Sequence, residues 1–224
     1  MGYKSKILVV APHPDDEILG VGGTLLRRKF EGCEIAWLVV TSLKGTGIVN
    51  GDSIALRAAE LKEVAKAFNF DNVFELNFPA TKLDQVAMAD LISEISKVFK
   101  AFNPEEVFIP HFSDIHTDHR VVFDAAASCV KWFRYPSIKR VLSYETLSET
   151  EFGLGSNKPF SPNVYINIEP YLEAKISAMH IYASELGKFP FPRSDEAIRA
   201  LAILRGATAG FKAAEAFELL REIS

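Results

Sequence analysis

Short apolar runs alternate with longer segments whose apolar residues recur every three to four positions. Ile7–Val10 predicts a first strand, followed by a helix over Ile18–Phe30 that stops near Gly32. Ile35–Thr41, rich in Val, Ile and Trp, predicts a second strand. Ser53–Phe68 carries Ile54, Leu61, Val64, Ala65 and Phe68 at helical spacing, and Gly45, Gly47 and Gly51 mark a mobile loop before it. Val73–Phe78 predicts a third strand, Val86–Phe102 a helix, Val107–Pro110 a short strand and Val121–Phe133 another helix. Such alternation implies βαβ units and a mainly parallel sheet, whose right-handed crossovers bring the strand ends to one edge.

The pattern changes after residue 140. Val141–Tyr144 and Val164–Ile168 read as strands, separated by a Gly- and Pro-containing loop from Phe152 to Pro162. Tyr171–Tyr182, Asp195–Gly206 and Ala213–Glu222 read as helices, with a loop over Gly187–Arg193. No repeat, low-complexity tract or linker interrupts the chain. The expectation is one α/β domain over residues 1–224: a Rossmann-like, mainly parallel sheet flanked by helices, with a C-terminal strand/helix elaboration.

Composition narrows the function. Of 224 residues, 48% are apolar and 24% charged, which is ordinary for a globular protein. A net charge of −4 argues against nucleic-acid partners, which need many phosphates neutralised. The basic triplet Arg27-Arg28-Lys29 reads as solvated charge near a helix C-terminus. Two cysteines, Cys33 and Cys129, without C-x-x-C spacing suit a reducing compartment and argue against cysteine ligation of zinc. Lys4–Pro12 is too poor in apolar residues for a secretory leader, and no stretch approaches the roughly 20 apolar residues of a membrane span. These features predict a cytoplasmic, unanchored protein.

The chemistry is concentrated in two clusters. Ala11-Pro12-His13-Pro14-Asp15-Asp16-Glu17 follows the first strand, at the sheet edge where open α/β proteins bind ligands. His111, Asp114, His116, Asp118 and His119 follow the short strand that ends at Pro110. Four of the five histidines lie in these clusters, a concentration of nitrogen and oxygen donors that suits zinc, iron or another first-row metal. Helix capping explains one of Asp15 and Asp16, but not the pair beside a histidine. Glu17 reads as a structural first-turn carboxylate and His111 as part of the loop architecture. Gly20, Gly22 and Gly23 read as sites of close helix packing.

Pro12-His13-Pro14-Asp15-Asp16-Glu17 together with His116-Thr117-Asp118-His119 resembles the LmbE/PIG-L family of zinc-dependent N-acetylglucosaminyl deacetylases. Arg57-Ala58-Ala59-Glu60 resembles a family Arg-x-x-Glu helix. Lys175 to Glu185, with His180, Tyr182 and Ser184, resembles its C-terminal signature, and Ala213–Phe217 its usual ending. The resemblance implies a metal-dependent hydrolase that removes acetyl from an N-acetylglucosamine-type sugar or conjugate; its partner is that small-molecule substrate, and a homo-oligomer is compatible with the sequence. His13, Asp16 and His119 become the ligands of Zn2+, with Fe2+ or another divalent ion as alternatives. Asp15 becomes the general base, and His116 the group that steadies the oxyanion or protonates the leaving amine. Asp118 orients and charges His116, while Arg57, Asp114, His180 and Tyr182 become candidate substrate contacts. Thr117 replaces a proline common in the second motif, and Asp114 stands where some members carry tyrosine.

Other classes remain to be weighed. A dinucleotide-binding oxidoreductase needs G-x-G-x-x-G after the first strand, whereas the acids of Pro12–Asp16 would repel a pyrophosphate. A catalytically silent sugar-binding protein would have lost a ligand or the base, and all are present. A related amide hydrolase on another N-acylated small molecule shares every site residue. Trp132–Tyr135 and Phe189–Phe191 are aromatic candidates for a sugar pocket or a contact between subunits.

Overall fold

The structure, a computed structural model, describes residues 5–47, 51–154 and 158–224. Among them are seven strands: β1 (Lys6–Ala11), β2 (Glu34–Ser42), β3 (Asn72–Pro79), β4 (Glu106–Pro110), β5 (Arg140–Tyr144), β6 (Val164–Asn167) and β7 (Ala214–Glu222). They form one sheet in the order β3-β2-β1-β4-β5-β7-β6. The first five pair in parallel, and β7 inserts antiparallel between β5 and β6. Six α-helices accompany them among the described residues: α1 (Asp16–Phe30), α2 (Gly51–Ala67), α3 (Met88–Phe102), α4 (Thr117–Ser128), α5 (Leu172–Met179) and α6 (Asp195–Ala209).

The apolar runs of β1 and β2 are nearly unbroken because both faces of the sheet are covered. Ile7, Val9, Ala11, Ile35, Trp37 and Val39 share a core with Leu25 of α1, Val64 of α2, Met179 of α5 and Ile198 of α6. Their alternates, Leu8, Val10, Ala36, Leu38 and Val40, share the opposite core with Leu91, Ile95 and Phe99 of α3 and Val122 and Ala125 of α4. Each fully buried aliphatic side chain contributes roughly 1.5–3 kcal/mol. Close packing of α1 depends on glycine: a Cβ on Gly23 would stand 2.7 Å from the Ile168 Cβ.

The predicted elements through β6 correspond to elements of the structure, with some boundary shifts. α4 starts at Thr117, four residues before the predicted Val121, and so takes the second cluster into its first turn. The predicted helix over Tyr171–Tyr182 shortens to α5. The glycine loop before α2 runs partly over residues 48–50, outside the described residues, as do residues 155–157 of the Phe152–Pro162 loop.

One element differs in kind. Ala213–Glu222, rich in Ala, Glu and Leu, carries helical propensity but forms strand β7. Pairing with two strands overrides the local preference. The strand also delivers a buried carboxylate to α1. Glu215 accepts the Gly23 and Thr24 backbone N–H groups at 2.8 and 2.7 Å and pairs with Lys175 Nζ at 2.7 Å. Lys175 Nζ also donates to the Leu19 carbonyl at 2.8 Å.

β1 has β2 on one side and β4 on the other, so the winding of the sheet reverses between β1 and β4. Such a switch point opens a crevice at the C-terminal strand ends. The two clusters leave the sheet there.

Candidate metal centre

The turn after β1 is pinned before it reaches the first acidic residue. The Pro12 carbonyl accepts both the Thr41 backbone N–H (3.0 Å) and its hydroxyl (2.7 Å). Asp15 then adopts φ 118°, a left-handed conformation that costs an L-residue on the order of 1–3 kcal/mol. It stands at the N-cap of α1, yet its side chain makes no capping bond. Its carboxylate accepts Arg193 Nη1 at 3.2 Å instead.

His13, Asp16 and His119 converge. Asp16 Oδ2 lies 3.4 Å from His13 Nδ1 and 3.3 Å from His119 Nε2, and the three donors lie within 4.8 Å of one another. Ligands about 2.05 Å from a tetrahedral zinc stand about 3.3 Å apart, so these separations fit one ion. The outward nitrogens are also committed. His13 Nε2 donates to Asp118 Oδ2 at 2.9 Å, and His119 Nδ1 to Asp114 Oδ2 at 2.8 Å. A carboxylate behind each imidazole fixes its tautomer and raises its basicity, as at built metal sites. A second grouping, His13–His116–Asp118, fits less well. Its carboxylate is already taken by His13 and by the Thr81 and Leu83 backbone N–H groups.

The electrostatics follow from burial and crowding. Burial and the charge of Asp16 push the Asp15 carboxyl up to about 8, against the pull of Arg193. Burial works against an ionised Asp16, but the charge and hydrogen bonds of His119 and His13 hold it well below the usual carboxylate range. Burial lowers His13, while hydrogen bonds to Asp118 and Asp16 outweigh it and raise the ring to about 9. His119 is held well above its ordinary value by Asp16 and Asp114 despite its burial. His116 goes the other way, to about 4, through burial and the charges of His13 and His119.

His116 caps α4, and its Nδ1 accepts the Asp118 backbone N–H at 3.1 Å. That contact leaves Nε2 to carry the proton of a neutral ring. The expectation that Asp118 orients His116 is corrected in this respect: the backbone N–H of Asp118 does so, while its carboxylate turns to His13.

These groups line a cleft of about 270 Å³, which also takes in Thr41, Thr81, Arg57, Glu185 and Arg193. Glu185 bridges the two guanidinium groups, pairing with Arg57 and lying 3.5 Å from Arg193 Nη2. Arg57 Nη1 and Arg193 Nε are buried without a hydrogen-bond partner, as is Thr146 Oγ1 on the same wall.

Three expected substrate contacts lie elsewhere. Asp114 is fully buried behind His119, where Thr150 also donates to it at 2.7 Å. His180 is exposed and pairs with Asp195 at 3.0 Å, because α5 ends at Met179 and turns the ring outward. Tyr182 is enclosed beneath the cleft floor, its hydroxyl donating to Glu17 at 3.1 Å. Glu185 closes the segment that resembles the family's C-terminal signature but was not singled out in it, and Arg193 and Thr146 carried no sequence signal, since they come from irregular segments without periodicity. Their approach to Asp15 is set by tertiary packing alone.

A model of the PIG-L family, GlcNAc-PI de-N-acetylase, matches residues 8–130 of the chain. The chain is 26% identical over 217 residues to the diacetylchitobiose deacetylase of Thermococcus kodakarensis, covering 94% of this chain and 81% of that protein. It is 29% identical over 185 residues to the uncharacterized deacetylase YaiS of Escherichia coli, covering 80% and 90%. The crystal structure of the conserved protein TT1542 from Thermus thermophilus superposes with a TM-score of 0.79 at 26% identity, covering 97% and 96%.

Proposed function

We propose that this chain, which belongs to the PIG-L family of de-N-acetylases, removes acetyl from an N-acetylglucosamine-type amino sugar or its conjugate. The observation that carries the reading is the His13–Asp16–His119 donor set with Asp15 beside it in one cleft. The named substrate of the Thermococcus relative supports an acetylated amino sugar. His13, Asp16 and His119 would hold the ion, with zinc the proposed metal and Fe2+ compatible with the same donors. When bound, the ion supplies Lewis-acid polarisation of the acetamide carbonyl and makes water acidic near neutral pH.

Asp15 takes the proton of the attacking water and passes it to the departing nitrogen. The C–N bond breaks, leaving acetate and a free amine. Burial of the Asp15 carboxyl favours its holding a proton between the two transfers more than an exposed aspartate would. His116, neutral and protonated at Nε2, donates to the carbonyl oxygen as negative charge develops there. This favours oxyanion stabilisation, since Nδ1 is held by the Asp118 backbone N–H and the ring has only its Nε2 proton to offer. Asp118 and Asp114 keep His13 and His119 in register. Arg57, in the cleft wall, is the cationic side chain that would meet substrate hydroxyls.

The reading extends to a cytoplasmic location, supported by two cysteines that remain free thiols. Among the described residues, no helix is long and apolar enough to cross a membrane. The test is metal content per chain in wild type and His119→Ala, followed by acetate release from N-acetylglucosamine and N,N′-diacetylchitobiose. About one ion per chain, lost in the variant, with acetate release from either sugar, is the expected outcome. Metal retained by His119→Ala overturns the ligand set, and no release by the metal-loaded protein from either sugar overturns the free sugars as substrates and leaves their conjugates to be assayed.

A further inference from the structure

Two enclosed side chains beneath the cleft take no part in the reaction as described, yet both converge on its base. Glu17 is wholly buried, and its Oε2 accepts the Asp15 backbone N–H at 3.0 Å. Its Oε1 accepts the hydroxyl of Tyr182, which lies 165 residues later in the chain. Tyr182 is equally enclosed, and the Arg57 guanidinium sits over its ring, 5.1 Å from the centroid. A carboxylate in the first turn of a helix ordinarily faces water, where the helix dipole favours it. Enclosing one is costly unless hydrogen bonds compensate.

Glu17 makes its bond at the residue that bears the backbone strain. At φ 118°, Asp15 directs its side chain into the cleft, and relaxation to an ordinary helical φ would swing that carboxylate away. A displacement of about 1 Å at a reacting group can cost about a hundredfold in rate. We infer that Glu17 and Tyr182 are positioning residues. Together they hold the Asp15 backbone in its left-handed turn and tie the base to the arginine at the cleft wall. This rests on the reading of Asp15 as proton acceptor.

The test compares Glu17→Ala, Glu17→Gln, Tyr182→Phe, Tyr182→Leu and Asp15→Asn as metal-loaded enzymes on N,N′-diacetylchitobiose. Metal content and Tm are measured in parallel. Glu17→Ala is expected to lower kcat by about thirtyfold or more, with KM within about threefold and the ion retained. Glu17→Gln restores most of that rate, because its amide oxygen still accepts the Asp15 N–H. Tyr182→Phe lowers kcat alone, by about threefold to tenfold, whereas Tyr182→Leu also raises KM by removing the platform under Arg57.

An unchanged kcat in Glu17→Ala, or equal damage in Glu17→Gln, overturns the inference. So does a loss of rate that only follows loss of metal. Should Glu17→Ala not fold, Tyr182→Phe decides, and a wild-type kcat there overturns the inference. Asp15→Asn separates the two levels. Turnover retained in that variant overturns the base reading itself, while an inactive Asp15→Asn beside wild-type rates in the other variants overturns only the positioning role.

Discussion

Asp118 accepts the Nε2 proton of His13 at 2.9 Å, joining two residues 105 positions apart. The bond turns His13 Nδ1 toward Asp16 and His119, so Asp118 shapes the metal site without being counted among its ligands. Asp118→Ala should weaken metal affinity by about 10- to 100-fold, read by competition with a chelator of known affinity. An affinity equal to wild type would remove Asp118 from the site.

Asp15→Asn keeps the shape of the turn and removes the proton acceptor. We expect kcat to fall by at least about 10²-fold, with metal content unchanged. Retained turnover would show that another group, with Glu149 in the cleft wall the first to test, takes the proton.

His116→Ala should reduce kcat by about 10²- to 10³-fold, the scale for losing one oxyanion donor. With Nδ1 held by the Asp118 backbone N–H, the ring offers only its Nε2 proton, so the loss should be equal at pH 6 and pH 9. A loss confined to the alkaline side would instead make His116 a proton donor.

Metal binding should tighten as pH rises. In the metal-free protein His13 keeps its proton up to about pH 9, and His119 is also held above its ordinary value. An incoming ion must displace these protons, so affinity should rise about tenfold per pH unit for each proton released. Calorimetry in buffers of different ionisation enthalpy counts them, and a count of zero at pH 7.5 overturns the assignment. The same raised pKa has a second effect on the metal-free fold. The stability contributed by protonated His13 is complete below about pH 6.5 and is lost as pH climbs through about 9.

Glu215→Ala should cost about 3–5 kcal/mol, measured by denaturant unfolding, because it strands a buried Lys175 charge and two backbone N–H groups of α1. A change below about 1 kcal/mol would mean that water or a rearranged side chain replaces the carboxylate.

Much of this was legible in the sequence, because it is written in local periodicity. The alternating cores of β1 and β2, the stripes of α2 and α3, and the two donor clusters after apolar runs are short-range patterns. β7 was not legible: its Ala, Glu and Leu favour a helix, and only the flanks of β5 and β6 make it a strand. The cleft walls share that cause. Arg193 reaches Asp15, and Glu185 reaches Arg193, through irregular segments, and Tyr182 meets Glu17 in the interior, contacts that depend on how distant elements dock. His180 illustrates the converse, since it belongs to a recognisable segment but the end of α5 leaves it facing solvent.

The adjacency of β1 and β4 gives the ion a further use. His13 and Asp16 enter from one strand end, and His119 from the helix that follows the other. A chain in which these strands had not yet paired, or had paired out of step, would offer two incomplete halves of a donor set. Capture of metal would thus report, during refolding, the moment at which the centre of the sheet closes.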